Sequence, residues 1–139
     1  MILLDTDHLS VLRGDPSDRQ TRLLSRLSAV TNEVVGTTIV TFEEQMRGWL
    51  ASIAKERQAH RQIRPYHELT RLIEFFADYH LVGFDQQAAD LYDTFNRIRI
   101  GTADRKIAAI ARAQNALLLT ANRRDFEQIP GLRFANWLD

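Results

Sequence analysis

Ile2-Leu3-Leu4-Asp5-Thr6-Asp7-His8 is the stretch whose reading decides the fold. Three apolar residues with no polar alternation read as a strand buried on both faces, the pattern of a parallel sheet. The strand ends in an acid, Asp5, and a helix with apolar spacing at Leu9 and Leu12 begins directly after it. An acid at the carboxyl end of a parallel strand stands where open α/β sheets place their ligands. Taking a carboxylate out of water is costly unless a cation or hydrogen-bond donors offset it. Asp5 therefore marks a candidate site, provided that other acids meet it in space.

Outward from this stretch, strands and helices alternate. A helix over Asp7–Arg13 closes at the turn residues Gly14-Asp15-Pro16-Ser17. Leu23, Leu24, Leu27 and Val30 give a second helix its apolar face. Val34–Thr38 reads as the second strand. Thr41, with Glu44 three residues on, has the capping-box pattern and predicts the start of the next helix. Lys55–Arg64 reads as solvated helix or connection, and Pro65 as the start of a further helix through Leu69, Leu72, Ile73 and Phe76. Leu81–Phe84 reads as the third strand. Asp85 is expected to cap a helix carrying Ala88, Leu91, Tyr92 and Phe95, and Thr102 to cap the one with Ile107 and Ile110. Leu117–Thr120 is the fourth strand, 121–128 a loop or short helix, and 132–136 a fifth, edge strand. Such alternation implies parallel pairing through right-handed crossovers. The expected fold is a three-layer α/β/α, doubly wound, mostly parallel sheet of four to five strands.

Composition bounds the rest. A chain of 139 residues is most simply one domain, 1–139, with a core that needs no staples. It has no cysteine, hence no disulfide framework and no thiolate metal site. No apolar run approaches the roughly 20 residues that span a bilayer. No basic segment precedes the first apolar stretch, so a secretory signal is not expected and the default placement is cytoplasmic. Net charge is zero, unlike a simple nucleic-acid coat protein. Among 18 basic residues only Lys55 and Lys106 are lysines. The rest are arginines, whose planar fork matches phosphate.

The acids at element junctions are Asp5, the pair Glu43 and Glu44, Asp104 and Asp125, the last with Asn122 before it. In a parallel sheet the strand-to-helix junctions share one edge. Asp104 reaches that edge if the chain turns back at Ile100-Gly101. Carboxylates without partnering His or Cys suit hard divalent cations, Mg²⁺ or Mn²⁺, and through them phosphoryl chemistry. Asp7 reads as a helix cap. His8 can reach the site but reads as structural, and His60, His67 and His80 lack ligand spacing. No GxGxxG or Walker phosphate loop is present.

Four segments together carry a resemblance. They are 3–7, Leu-Leu-Asp-Thr-Asp; 40–48, Val-Thr-Phe-Glu-Glu-Gln-Met-Arg-Gly; 102–111, Thr-Ala-Asp-Arg-Lys-Ile-Ala-Ala-Ile-Ala; and 118–126, Leu-Leu-Thr-Ala-Asn-Arg-Arg-Asp-Phe. In this order and spacing, over nearly the whole chain, they resemble a PIN domain, and more narrowly a VapC-type toxin ribonuclease. The resemblance implies that Asp5, Glu44 and Asp104 hold the metal. The family's Thr-x-x-Glu-x-x-x-Gly matches Thr41, Glu44 and Gly48, so the role falls to Glu44 and not Glu43. Asp125 follows as a fourth acid supporting metal or water, because the other family position carries the amide of Asn122. The implied protein is a Mg²⁺-dependent endoribonuclease of a type II toxin–antitoxin pair, with RNA as substrate, an antitoxin partner and a homodimeric state. Arg105, Lys106, Arg123 and Arg124 are candidates for flanking phosphates, with Arg97 and Arg99 extending the track. Thr6 and Thr120 hydroxyls are candidates to fix the carboxylates.

Two alternatives remain open in the residues. One is a haloacid-dehalogenase-like phosphatase using Asp5-Thr6-Asp7, with Asp5 as nucleophile and Asp7 as acid–base. It normally has Thr or Val where this chain has Leu9, and it needs a late paired-acid motif that this chain lacks. The other is a catalytically inactive PIN fold acting as a binding module.

Overall fold

The computed structural model describes all of residues 1–139. Its five strands are β1 (Ile2–Leu4), β2 (Val35–Thr38), β3 (His80–Val82), β4 (Leu117–Leu119) and β5 (Arg133–Ala135). They form one sheet in the order β3-β2-β1-β4-β5, with every pair parallel. The helices are α1 (Thr6–Arg13), α2 (Asp18–Ala29), α3 (Ile39–Lys55), α4 (Ala59–Ala77), α5 (Gln86–Thr94), α6 (Thr102–Ala113) and α7 (Arg123–Phe126). The sheet is thus wholly rather than mostly parallel. No helix is long and apolar enough to cross a membrane.

Strand periodicity builds two cores. Successive strand side chains point to opposite faces. Leu3 and Leu118 enter one cluster with Phe95, Ile107, Ile110 and Phe126. Ile2, Leu4 and Leu119 enter the other with Leu9, Leu23, Leu72 and Phe76. Helices α5, α6 and α7 cover the first face, and α1, α2 and α4 cover the second. Phe42, Met46 and Trp49 pack against the second cluster, so the aromatic stripe of α3 is core packing, as its spacing suggests.

The topology positions the site. From β1 the chain winds outward to β2 and β3, then returns to lay β4 and β5 on the other side. Strand order reverses between β1 and β4, and a crevice opens outside their carboxyl ends. Asp5 and Thr120 lie there, each one residue past its strand.

Four boundaries differ from the sequence expectation. Helix α3 begins at Ile39, because Thr38, still extended at the end of β2, accepts from the Thr41 N–H at 3.0 Å and caps it. Glu44 is therefore in the second turn. Helix α4 begins at Ala59, well before Pro65, which lies buried inside it. The Gln62 side chain donates to the Ile53 and Glu56 carbonyls, pinning that first turn to the end of α3. Strand β3 stops at Val82 rather than Phe84. Its partner β2 ends at Thr38, opposite Val82, and leaves nothing for the next residues to pair with. At α6 the cap is Gly101, with no side-chain bond, and Thr102 is the first helical residue. Gly131, at φ 73°, holds the left-handed turn before β5.

Gly36, in register with His80, lets β2 and β3 approach closely. A Cβ there would stand 2.2 Å from the His80 carbonyl oxygen. Gly36→Ala must push β2 and β3 apart and is expected to cost about 1–3 kcal/mol. Urea unfolding monitored by circular dichroism checks this, and wild-type stability of the variant would contradict the close approach.

Candidate metal centre

Asp5 is 7% exposed and is the N-cap of α1. Its backbone N–H donates to the Leu119 carbonyl at 2.9 Å, continuing the β1–β4 ladder by one residue. Its carboxylate accepts from the Thr6 N–H at 2.8 Å and from the Thr120 hydroxyl at 2.8 Å. These donors do not fully offset its burial. Desolvation pushes the Asp5 carboxyl up to about 6, against the lowering effect of Thr6 and Thr120 and with further upward pressure from Asp7 and Asp104.

Glu44 and Asp104 belong to the same electrostatic group. Partial burial raises Glu44, and the charge of Asp5 raises it further. Partial burial raises Asp104, then Glu44, Asp125 and Asp7 add to it. Asp5, Glu44, Asp104 and Asp125 thus feel one another's charge. Glu43 instead accepts from Arg47 at 2.5 Å on the exposed side of α3. Asp125 and Asn122 act as a pair. The Asn122 side chain caps α7, and its amide nitrogen donates to the Asp125 carboxylate at 3.0 Å.

Asp7 is not the helix cap; Asp5 takes that place. The Asp7 carboxylate is held by its neighbours. Burial alone would raise it, but bonds from His8 at 2.5 Å and from the Ala121 N–H at 2.8 Å outweigh this and hold it below the usual carboxylate range. His8 is fully buried, and its Nε2 accepts from the Trp137 N–H at 3.1 Å. Its proton therefore sits on Nδ1 and points at Asp7. The residue is structural, as expected: it ties α1 to the carboxyl-terminal tail. With Asp7 so engaged, the acid–base role of a phosphatase has no free carboxylate. The Thr6 contribution is its backbone N–H, whereas Thr120 acts through its hydroxyl.

The candidate phosphate-binding residues differ in freedom. The Arg105 guanidinium lies 4.9 Å from the Tyr92 ring centre and donates to its hydroxyl at 3.2 Å. Its Nε is buried without a partner. Arg123 is 83% exposed and 3.6 Å from Glu127. Lys106 and Arg124 have no carboxylate partner.

No group of three His, Asp or Glu side chains stands close enough in this structure to hold a metal ion by itself. The donor set nevertheless fits a small hard cation. Mg²⁺ retains several waters and takes only one or two carboxylates directly. A dry Asp5 that resists ionisation, beside a Glu44 raised by burial and by Asp5 and an Asp104 raised by burial and by Glu44, is the arrangement such a charge relieves.

The model of the family described as PIN domain matches residues 2–132, and the chain belongs to that family. Solved structures share the fold over the whole length. FitAcB from Neisseria gonorrhoeae is 25% identical, covering 99% of this chain and 98% of that one, with a TM-score of 0.68. VapBC2 from Rickettsia felis, bound to a DNA fragment from its promoter, is 23% identical, covering 99% of each chain, with a TM-score of 0.74. VapBC-1 from nontypeable Haemophilus influenzae is 22% identical over 100% of each chain, with a TM-score of 0.74. No curated protein matches this chain.

The raised Asp5 has a consequence for stability. Between its unfolded value of 3.8 and its folded value of about 6, the unfolded chain ionises while the folded protein keeps its proton. Its contribution is therefore present below about pH 4 and lost as pH rises through 6, on the order of 2–3 kcal/mol without metal. Asp5→Asn can keep the Thr6 N–H bond at its amide oxygen and donate from its amide nitrogen to the Thr120 hydroxyl oxygen, and it removes the charge. In EDTA it is expected to melt higher than wild type at pH 7.5 and to depend less on pH between 4 and 7. A lower melting temperature at pH 7.5 would contradict the assignment.

Proposed function

We propose that this chain is a metal-dependent endoribonuclease and the toxin of a type II toxin–antitoxin pair, with its catalytic unit spanning 1–139. The observation that carries the reading is Asp5, buried at the reversal of strand order and coupled to Glu44 and Asp104. Membership of the PIN family supports it, as do full-length fold relatives described as VapBC assemblies. The same relatives support an antitoxin partner. A homodimeric state and a cytoplasmic setting belong to the proposal.

In this reading Asp5, Glu44 and Asp104 hold Mg²⁺, or Mn²⁺ in its place. When bound, the ion supplies an acidified water and positive charge at the scissile phosphate. The chain's own residues then have separable tasks. Thr120 fixes the rotamer of Asp5 by its hydroxyl bond, the kind of supporting contact worth about 10–100-fold in related sites. Asp125, which accepts a hydrogen bond from Asn122, supports the metal or its water as a fourth acid. Lys106 and Arg124 hold flanking phosphates, which positions RNA without reading its sequence.

Purified protein is expected to cut single-stranded RNA with Mg²⁺, to stop in EDTA and to spare a phosphomonoester. Asp5→Asn, Glu44→Gln and Asp104→Asn should each lower the rate by roughly 10²-fold or more. RNA cutting by Asp5→Asn at the wild-type rate would overturn the assignment. Cleavage of DNA in preference to RNA would correct the substrate.

A further inference from the structure

Thr120 is held twice by one short segment. Residues 136–139 follow β5 directly and belong to no helix or strand. Just before them, the Ala135 carbonyl accepts from the Thr120 N–H at 2.9 Å. Two residues on, the Trp137 N–H donates to His8 Nε2 at 3.1 Å, and His8 Nδ1 donates to one Asp7 oxygen at 2.5 Å. The other Asp7 oxygen accepts from the Ala121 N–H at 2.8 Å and stands 3.4 Å from the Thr120 hydroxyl. That hydroxyl donates to Asp5 at 2.8 Å.

We infer that Asp7 and His8 are positioning residues that connect segment 136–139 to the metal centre: with Trp137 seated on His8, Asp7 leaves the Thr120 proton to Asp5, and Asp5 keeps the orientation that receives the ion. The inference rests on the metal-centre reading and adds to it two residues that act through others.

The supply of donors carries the argument. A hydroxyl has one proton to give. Two carboxylates flank that of Thr120, and the shorter contact gives it to Asp5. Asp7 does not compete, because His8 and Ala121 already supply a donor to each of its oxygens. Without the His8 donor, Asp7 is left part-buried with an unanswered oxygen, and the nearest remedy is the Thr120 hydroxyl. Asp5 then loses its side-chain donor. The His8 donor depends in turn on the segment. An imidazole that accepts at Nε2 carries its proton on Nδ1, so Trp137 and Asp7 select the same tautomer. The ring is fully buried, out of reach of solvent that could replace Trp137. The segment itself is anchored. Leu138 joins the core cluster of Leu9 and Leu23, and its carbonyl accepts from Arg22 at 3.1 Å. The Arg26 guanidinium lies 6.0 Å from the Trp137 ring centre. Its anchors stand on α1 and α2, so the metal centre senses how those helices seat the segment.

Such a connection is reciprocal: whatever factor seating the segment adds to ion affinity, the ion adds to the seat. A tie that serves the fold alone has no such factor. Full-length ¹⁵N-labelled protein is titrated with Mg²⁺ by NMR, and hydrogen exchange of the Trp137 amide is measured with and without the ion. Saturating Mg²⁺ is expected to slow that exchange about tenfold. The Glu56 amide, bonded to the Ile53 carbonyl at the end of α3, is the reference and should not change. His8→Leu removes both donor and acceptor. Its Mg²⁺ affinity should fall about tenfold in protein that circular dichroism shows to be folded. Trp137→Ala keeps the backbone N–H and should bind Mg²⁺ nearly as wild type does. Trp137→Pro lacks the N–H and should bind as weakly as His8→Leu.

Unchanged Trp137 exchange in wild-type protein that binds Mg²⁺ overturns the connection and leaves the metal centre standing. This arm needs no variant, so it holds even where a substitution unfolds the chain. Folded His8→Leu protein with wild-type Mg²⁺ affinity overturns the connection as well. If wild-type protein binds no Mg²⁺, the metal-centre reading fails, and the connection is decided without the ion. Trp137→Pro should then still move the Asp5 side-chain carboxyl ¹³C signal relative to Trp137→Ala, and an unmoved signal overturns it.

Discussion

The structure turns on one buried carboxylate joined to two strands. Asp5 continues the β1–β4 ladder through its own N–H and receives the Thr120 hydroxyl from the far side of the junction. Neighbouring strands that run parallel present the same end together. Between β1 and β4 no crossover helix fills the gap, so the site opens where the two strands end. Every other site residue is placed relative to that junction. Helix α3 springs from β2 without a loop, α6 descends into β4, and α7 follows it.

Around this junction two neighbouring acids meet opposite fates. Asp7 is satisfied: His8, fixed by Trp137, donates to one oxygen, and the Ala121 N–H donates to the other. Its charge is stable in place and ties three separate segments together. Asp5 is only two residues away, drier, and short of donors for a full negative charge. A fold that needed only a clamp would have no use for the second, uncomfortable carboxylate. Its partners Glu44 and Asp104 make the discomfort mutual, and a divalent cation is the group that removes it. An apolar cavity lined by Ile39, Val40, Phe42 and Met46 of α3 and by Phe84 lies near Lys106 of α6.

Much of this was legible in the sequence, for physical reasons that can be named. The run Ile2-Leu3-Leu4 has no polar alternation because both faces are covered, which gave β1 its place in a parallel sheet. Asp85 caps α5 as its spacing predicts. The strand after α6 runs parallel to β1, the condition on which Asp104 was expected at the shared edge. The misreadings were competitions between local signals. Thr38 and Thr41 are both good caps, and the extended backbone at the end of β2 decided for Thr38. Pro65 looked like a helix start, but the Gln62 side chain had already fixed a turn against α3. The role of Asp7 was illegible because its partners, Ala121 and the Trp137-bound His8, are far away in the chain. The exposure of Phe84 was equally hidden, since Phe84 reads as strand until the end of β2 denies it a partner.

The central claim is that Asp5, Glu44 and Asp104 jointly capture one divalent ion. Anomalous diffraction from a crystal soaked in Mn²⁺ tests it most directly, because manganese scatters anomalously and replaces magnesium at oxygen sites. The account predicts a peak outside the carboxyl ends of β1 and β4, within direct or water-mediated reach of all three carboxylates. A fully soaked crystal with no peak there, or with manganese only at other acids, would contradict it.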